Sequence, residues 1–187
     1  IGHDTKTFME ALESAVRQAP DVLLIGEMRD VESVKASVYF AETGHLVLST
    51  LHANNAIQTV ERVLQFFPED MHQGILAQLS LNVRGIVAQR LIRGHDGKRV
   101  AACEVLIGNA RMAELMRAGS LTQIKRELDQ FLPEGMQSFD TSLLELYRSG
   151  KISVDEAIRN SDNANDMRLK IKSSMPVNLA GANNDDY

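Results

Sequence analysis

The stretch Val16-Arg17-Gln18-Ala19-Pro20-Asp21-Val22-Leu23-Leu24-Ile25-Gly26-Glu27-Met28-Arg29-Asp30 decides how the rest of the chain is read. Pro20 breaks a preceding helical pattern. Val22–Ile25 is then a four-residue aliphatic run, β-branched at both ends, which predicts a short strand buried on both faces, as in a parallel sheet. An acid, Glu27, follows the strand almost at once. In open α/β sheets, ligands bind at the carboxyl ends of the strands, and a dry strand there holds a carboxylate rigidly. Glu27 in that position could orient or deprotonate a water attacking a γ-phosphate, or help hold Mg²⁺ through water. Four aliphatic residues and one acid, taken alone, are more often an ordinary buried strand followed by a charged loop.

Working outward, the spacing of Phe8, Leu12, Ala15 and Val16 predicts a helix over residues 5–17, with Asp4 as its cap. Asp30 is placed to cap a second helix over 31–42, which Gly44 ends. Leu46–Leu48 is a second aliphatic strand, and a third helix is predicted over 56–65. Strand, helix, strand, helix is the order of an α/β fold with a parallel sheet. A helix is predicted over 69–81. Two apolar runs, 86–92 and 99–107, then flank Arg93-Gly94-His95-Asp96-Gly97-Lys98, where Asp-Gly signals a hairpin. Beyond Gly108 the pattern predicts short helices over 110–117, 121–131, 139–148, 154–160 and 164–172. A Pro, Asn, Gly and Asp-rich tail, expected to be disordered, starts at Ser173. The domain boundary is placed at Gly108: residues 1–107 as an α/β core, 108–172 as a helical subdomain and 173–187 as tail.

Composition narrows the functional classes. The 187 residues carry 20 Lys and Arg against 25 Asp and Glu, a net charge of −5, with no basic run, which disfavours nucleic acid and anionic membranes as partners. No apolar stretch approaches the ~18 residues of a membrane span. The one cysteine, Cys103, excludes a disulfide within the chain, reads as a small core residue and suits a reducing cytoplasm.

A second segment, Ala41-Glu42-Thr43-Gly44-His45-Leu46-Val47-Leu48-Ser49-Thr50-Leu51-His52-Ala53-Asn54-Asn55, has two histidines bracketing a strand. No third Cys or His ligand is near in sequence, so spacing alone makes them structural rather than metal-binding. Thr50, at the strand end, could reach a phosphate or its water. Arg29 follows Glu27 closely. Arg62, on the third helix, is by residue type either a phosphate or subunit-bridging group or a solvated helix charge bonded to a neighbour such as Gln58.

The first segment resembles, position by position, the signature of the type II secretion and type IV pilus ATPase family. That signature is an aliphatic residue and Arg, two free positions, Pro-Asp, one free position, three aliphatics, then Gly-Glu, an aliphatic and Arg-Asp. The second segment is similar to the family's His box. The resemblance extends from Gly2 to Lys172 and implies a RecA-like P-loop NTPase core, truncated at its N-terminal side, followed by a small helical subdomain. It implies the Walker B role for Glu27, with any Mg²⁺ contact through water. For His45 and His52 it implies γ-phosphate sensing, and it matches Arg62 to an arginine on the helix after the His box. ATP and Mg²⁺ are the implied cofactors, and a homohexamer at the cytoplasmic side of the inner membrane, at the pilus base, is the implied assembly. The implied partners are the pilus platform protein and a paralogous retraction ATPase.

Within the family the chain is most similar to the pilus retraction ATPases. It is PilT-like at Gly26–Asp30 and PilU-like at Phe66-Phe67-Pro68, Leu79-Ser80-Leu81-Asn82 and Gly135-Met136-Gln137-Ser138. Assembly and secretion members typically carry a four-cysteine metal module, which a chain with Cys103 alone lacks. The resemblance thus implies ATP-driven pilus retraction and twitching motility; the alternative is an accessory, weakly catalytic or inactive subunit partnering another retraction ATPase. A P-loop needs Gly-x-x-x-x-Gly-Lys-Ser/Thr, and the Gly-Lys pairs at 97–98 and 150–151 lack its remaining residues. The expectation is that the family's Walker A and N-terminal domain have been cut away. This would leave an open sheet edge and an uncovered apolar face, and a chain inactive by itself.

Overall fold

In the computed structural model, residues 8–130 and 135–174 are described. Of the tail expected over 173–187, Ser173 and Ser174 instead end the last helix, and residues 175–187 lie outside the described ones, as do Asp4 and the start of the first helix. The elements run α1 (Phe8–Val16), β1 (Val22–Ile25), α2 (Val31–Glu42), β2 (Leu46–Ser49), α3 (Ala56–Leu64), a 3₁₀ turn (Glu69–Met71), α4 (His72–Asn82), β3 (Gly85–Arg93), β4 (Arg99–Ile107), α5 (Ala110–Arg117), α6 (Leu121–Gln130), α7 (Phe139–Arg148), α8 (Val154–Asn160) and α9 (Ala164–Ser174). β1 and β2 pair in parallel, Val22 opposite Leu46 through Ile25 opposite Ser49, and α2 is the crossover a parallel pair requires.

At these strands burial on both faces is not found, and the uncovered apolar face that was also expected is. Leu23 and Ile25 are buried with Leu12, Ala36 and Phe40, but Leu24 is 74% exposed, and Val22, Leu46 and Leu48 are about half exposed. The pair is covered on one face, by α1 and α2, and its other face is open. An unbroken aliphatic run looks the same whether one or both faces are covered, because the alternation sits in the surroundings rather than in the residue types.

Contacts divide the chain into two units, and one of several crossings between them falls between Ile107 and Gly108. The first unit runs to Ala53 and adds Ile57–Gly85 and Gly108–Ile124. The second takes Asn54–Ala56, Ile86–Ile107 and the chain from Lys125. The hairpin β3–β4 therefore groups with the later helices instead of the β1–β2 layer. Its inward side chains Ala88, Ile92 and Ala102 form one core with Phe139, Leu143, Ile152, Ala157, Met167 and Ile171. Val105 and Gln137 exchange backbone bonds of 2.8 and 3.0 Å, and Ser142 Oγ accepts the Cys103 N–H. The hairpin turn matches its sequence signal: Gly97 has φ +77, a region that favours glycine, and Gly94 N–H donates to the Lys98 carbonyl.

The second unit also carries an ionic chain. Asp162 accepts from Lys125 at 2.7 Å and from Arg90 at 3.0 Å, and Arg90 lies 3.9 Å from the centre of the Phe139 ring. Burial pushes the Asp162 carboxyl up, but the Lys125 hydrogen bond and charge, then those of Arg90, outweigh it and hold the group below the usual carboxylate range.

In the first unit, α4 packs on α5, and the chain enters α5 through Gly108. There is no room for a side chain there, since a Cβ would stand 2.0 Å from the Val83 carbonyl oxygen. The Gly108 N–H is bonded to the Arg84 carbonyl at 2.9 Å, so the backbone has no latitude to move away. Gly108→Ala is expected to destabilise the fold by about 1–3 kcal/mol, the usual range for forced overpacking, read as a lowered thermal unfolding midpoint beside a neutral surface variant.

Candidate active site

The carboxyl ends of β1 and β2 meet because the ladder continues past both strands. Met28 N–H donates to the Thr50 carbonyl at 3.0 Å, and the Thr50 hydroxyl donates to the Gly26 carbonyl at 2.6 Å. Thr50 thereby clamps the peptide that carries Glu27. Across this edge His52 Nε2 stands 3.2 Å from Glu27 Oε1, with the His52 side chain 90% exposed and that of Glu27 42% exposed. The carboxylate thus has one polar neighbour and an open side facing solvent, the disposition required of a group that must receive a water or a proton.

The turn after Glu27 is fixed from the other side by α2. Asp30 caps the helix as expected. The structure adds a partner that the sequence reading passed over: Ser33 completes a capping box with Asp30. Ser33 N–H donates to Asp30 Oδ1 at 2.8 Å, and the N–H groups of Arg29 and Asp30 donate to Ser33 Oγ. Asp30-x-x-Ser33 spacing before an apolar helix was the available signal. The hydrogen bonds from the Ser33 backbone and side chain, aided by the Arg29 charge, hold the Asp30 carboxyl below the usual carboxylate range.

The remaining candidates do not gather at this edge. His45 precedes β2 and lies at its opposite end. The two histidines are seven residue steps apart with the four residues of β2 between them, a reach of at most about 23 Å at ~3.3 Å per residue. The His45 ring closes the end of α2: Nδ1 is 3.2 Å from the Phe40 carbonyl and 3.0 Å from Thr43 Oγ1, and the ring stacks edge-on to Phe40. Arg62 lies on α3, bonded to Gln65 at 3.1 Å and over the Phe66 ring at 5.2 Å. Gln65 and Phe66 are thus neighbours of its guanidinium. Arg29 is adjacent to the edge in sequence and exposed. Among the described residues no group of three metal-capable side chains occurs, and no helix is long and apolar enough to cross a membrane.

A strand-end carboxylate beside a histidine sits here on a parallel pair with its crossover helix, in an α/β fold with a helical region. The family model for "Type II/IV secretion system protein" matches residues 2–173, and the chain belongs to that family. It is 47% identical over 173 residues to the Type IV pilus ATPase PilU of Pseudomonas aeruginosa, covering 92% of this chain and 45% of that protein. It is 38% identical over 157 residues to the retraction ATPase PilT of the same organism, covering 84% and 46%. A solved structure of the pilus retraction motor PilT with bound ADP superposes with a TM-score of 0.78 at 38% identity, covering 90% of this chain and 47% of that one. The chain spans about half the length of the relatives it matches.

Acid should reach this edge through Asp30. Its folded-state pKa is depressed, so the capping box contributes its full stability above the unfolded value near pH ~4 and loses it as pH falls through the folded value. Asp30→Asn, which keeps a capping oxygen but cannot titrate, is expected to flatten this part of the acid unfolding profile, followed by circular dichroism.

Proposed function

We propose that the protein carrying this chain is a hexameric motor ATPase of the type IV pilus retraction machinery, powering retraction and twitching motility. The observation that carries the reading is Glu27, held at the carboxyl end of a parallel strand by the Thr50 clamp and set 3.2 Å from His52. Family membership and the PilU and PilT likenesses support it. In this reading Glu27 orients the attacking water and accepts its proton, and His52 senses the state of the γ-phosphate through Glu27. Thr50 positions Glu27. Arg29 and Arg62 stabilise phosphate charge or bridge subunits. His45 acts on the site only by anchoring the end of α2 from which β2 departs. ATP with Mg²⁺ is the substrate: when bound, the metal would supply charge neutralisation on the phosphates, and Glu27 would help hold it through water. The protein works at the pilus base, peripheral to the inner membrane, against a platform protein and a paralogous ATPase. The residues here include no phosphate-cradling Gly-Lys-Ser/Thr, so this chain by itself binds ATP weakly.

The test is steady-state ATPase turnover of the whole protein. Glu27→Gln is expected to lower kcat by about 10²-fold or more with nucleotide binding retained, the usual size for losing an acid–base group. His45→Ala should lower the thermal midpoint while leaving more turnover than His52→Ala. If Glu27→Gln matches the wild type, and wild-type turnover appears only with a paralogous ATPase added, the accessory-subunit reading replaces this one.

A further inference from the structure

Two stretches of the second unit carry almost only positive charge. Residues 93–99, at the tip of the β3–β4 hairpin, hold Arg93, Lys98 and Arg99. Residues 148–151, where α7 gives way to α8, hold Arg148 and Lys151, and Asp96 is the one acid in either stretch. The two are joined. His95 N–H donates to the Lys151 carbonyl at 3.0 Å, and Ile92 and Ile152, the chain neighbours of Arg93 and Lys151, are buried in the same core. All five cations are exposed. Together the stretches carry +4 in a chain of net −5, which leaves −9 on the rest.

These charges have no carboxylate to answer them. Among the described residues Arg90, Arg111, Lys125 and Arg159 form ion pairs, and none of the five does. Asp96 is turned into the tip, where its Oδ1 accepts the Lys98 backbone N–H at 3.0 Å. Arg99 donates to a neutral partner, the Leu91 carbonyl, at 3.3 Å. Gly94 N–H bonds the Lys98 carbonyl at 2.8 Å, which sets Arg93 opposite Arg99 at the mouth of the turn. Like charges directly opposite each other destabilise a ladder. The carboxyl end of α7 favours cations and so accounts in part for Arg148 and Lys151, but Arg93 and Lys98 gain nothing from it.

The surface is also firm. Gly97 N–H returns to the Gly94 carbonyl at 3.1 Å, and Lys151 N–H to the Leu146 carbonyl at 2.9 Å, closing both turns. A preorganised surface loses little freedom on binding. Three of the five cations are arginines, whose planar guanidinium takes a carboxylate through two parallel bonds. A bilayer or a long nucleic acid extends past the tip and meets the −9 carried elsewhere, whereas a short acidic segment meets the tip alone.

We propose that the hairpin tip and the α7–α8 turn form a docking site for an acidic segment of a protein partner. The site uses none of the residues assigned to hydrolysis and stands independently of that reading.

The experiment uses the whole protein and three probes: a fluorescein-labelled peptide of alternating Glu and Ser, vesicles of phosphatidylglycerol and phosphatidylcholine, and labelled oligodeoxythymidine. Wild type is compared with the triple variant Arg93→Gln, Lys98→Gln, Lys151→Gln. A control triple, Arg159→Gln, Arg168→Gln, Lys172→Gln, removes the same charge from α8 and α9. The expected result is that the first triple weakens peptide binding about tenfold or more while the control stays within about twofold, and that added salt weakens the wild-type complex. Thermal melts show whether each variant is folded. Where the first triple melts early, Lys98→Glu on the exposed turn replaces it, with an expected loss of about threefold or more. The proposal is overturned if wild type does not bind the peptide, or if both triples weaken it alike, which marks bulk charge. It is also overturned if vesicles or oligodeoxythymidine are held through these residues in preference to the peptide, which would make the site one for lipid or nucleic acid.

Discussion

The parallel register of β1 and β2 is the constraint on which the candidate site depends. Ile25 sits opposite Ser49, and the ladder then runs on through the Met28 amide and the Thr50 hydroxyl. Side chains alternate with a period of two, so a slip of one residue would turn Leu23 and Ile25 outward and carry Glu27 away from His52. The core residues under α1 and α2 oppose that slip. Hydrophobic burial on one face thus fixes the position of a carboxylate at the edge, and the capping box at Asp30 and Ser33 fixes the turn between that edge and α2.

Local signals in the sequence carried a long way. The Asp-Gly turn, the capping position of Asp30, and the ends of α2, α5, α7 and α8 all rest on residues within one turn of each other, and each could be read directly. The Glu27 edge was legible through the whole fifteen-residue signature, since a strand followed by an acid is by itself more often an ordinary buried strand and a charged loop. What the sequence did not reveal depends on partners distant in the chain. The grouping of the hairpin with α7 to α9 reflects which inward stripe meets Phe139 and Leu143. Glu104, buried in β4, could have been flagged as an acid on the inward alternation of an apolar strand, but Ala56, whose N–H it accepts, could not.

The two histidines show how a shared resemblance and a shared strand can still separate residues. Both bracket β2, and both match the His box. A strand has two ends, and only the carboxyl end meets Glu27. His45 is satisfied by the Phe40 carbonyl and Thr43 on its own helix terminus, which gives it a structural task that needs no ligand. His52, by contrast, has an almost fully exposed ring and one polar neighbour among the contacts described for it.

That exposure bears on what the Glu27–His52 pair is for. An ion pair in water contributes ~0–1 kcal/mol, so stability does not account for it. The same two groups interact several times more strongly once solvent is excluded, because the effective dielectric falls. A site built this way has little electrostatic commitment while open and gains it when a nucleotide or a neighbouring surface covers the edge. The open apolar face of Val22, Leu24, Leu46 and Leu48 belongs to the same strands, so whatever covers that face also lowers the dielectric next to Glu27. On the hydrolytic reading proposed above, covering the sheet and strengthening the interactions of the carboxylate would be one physical event.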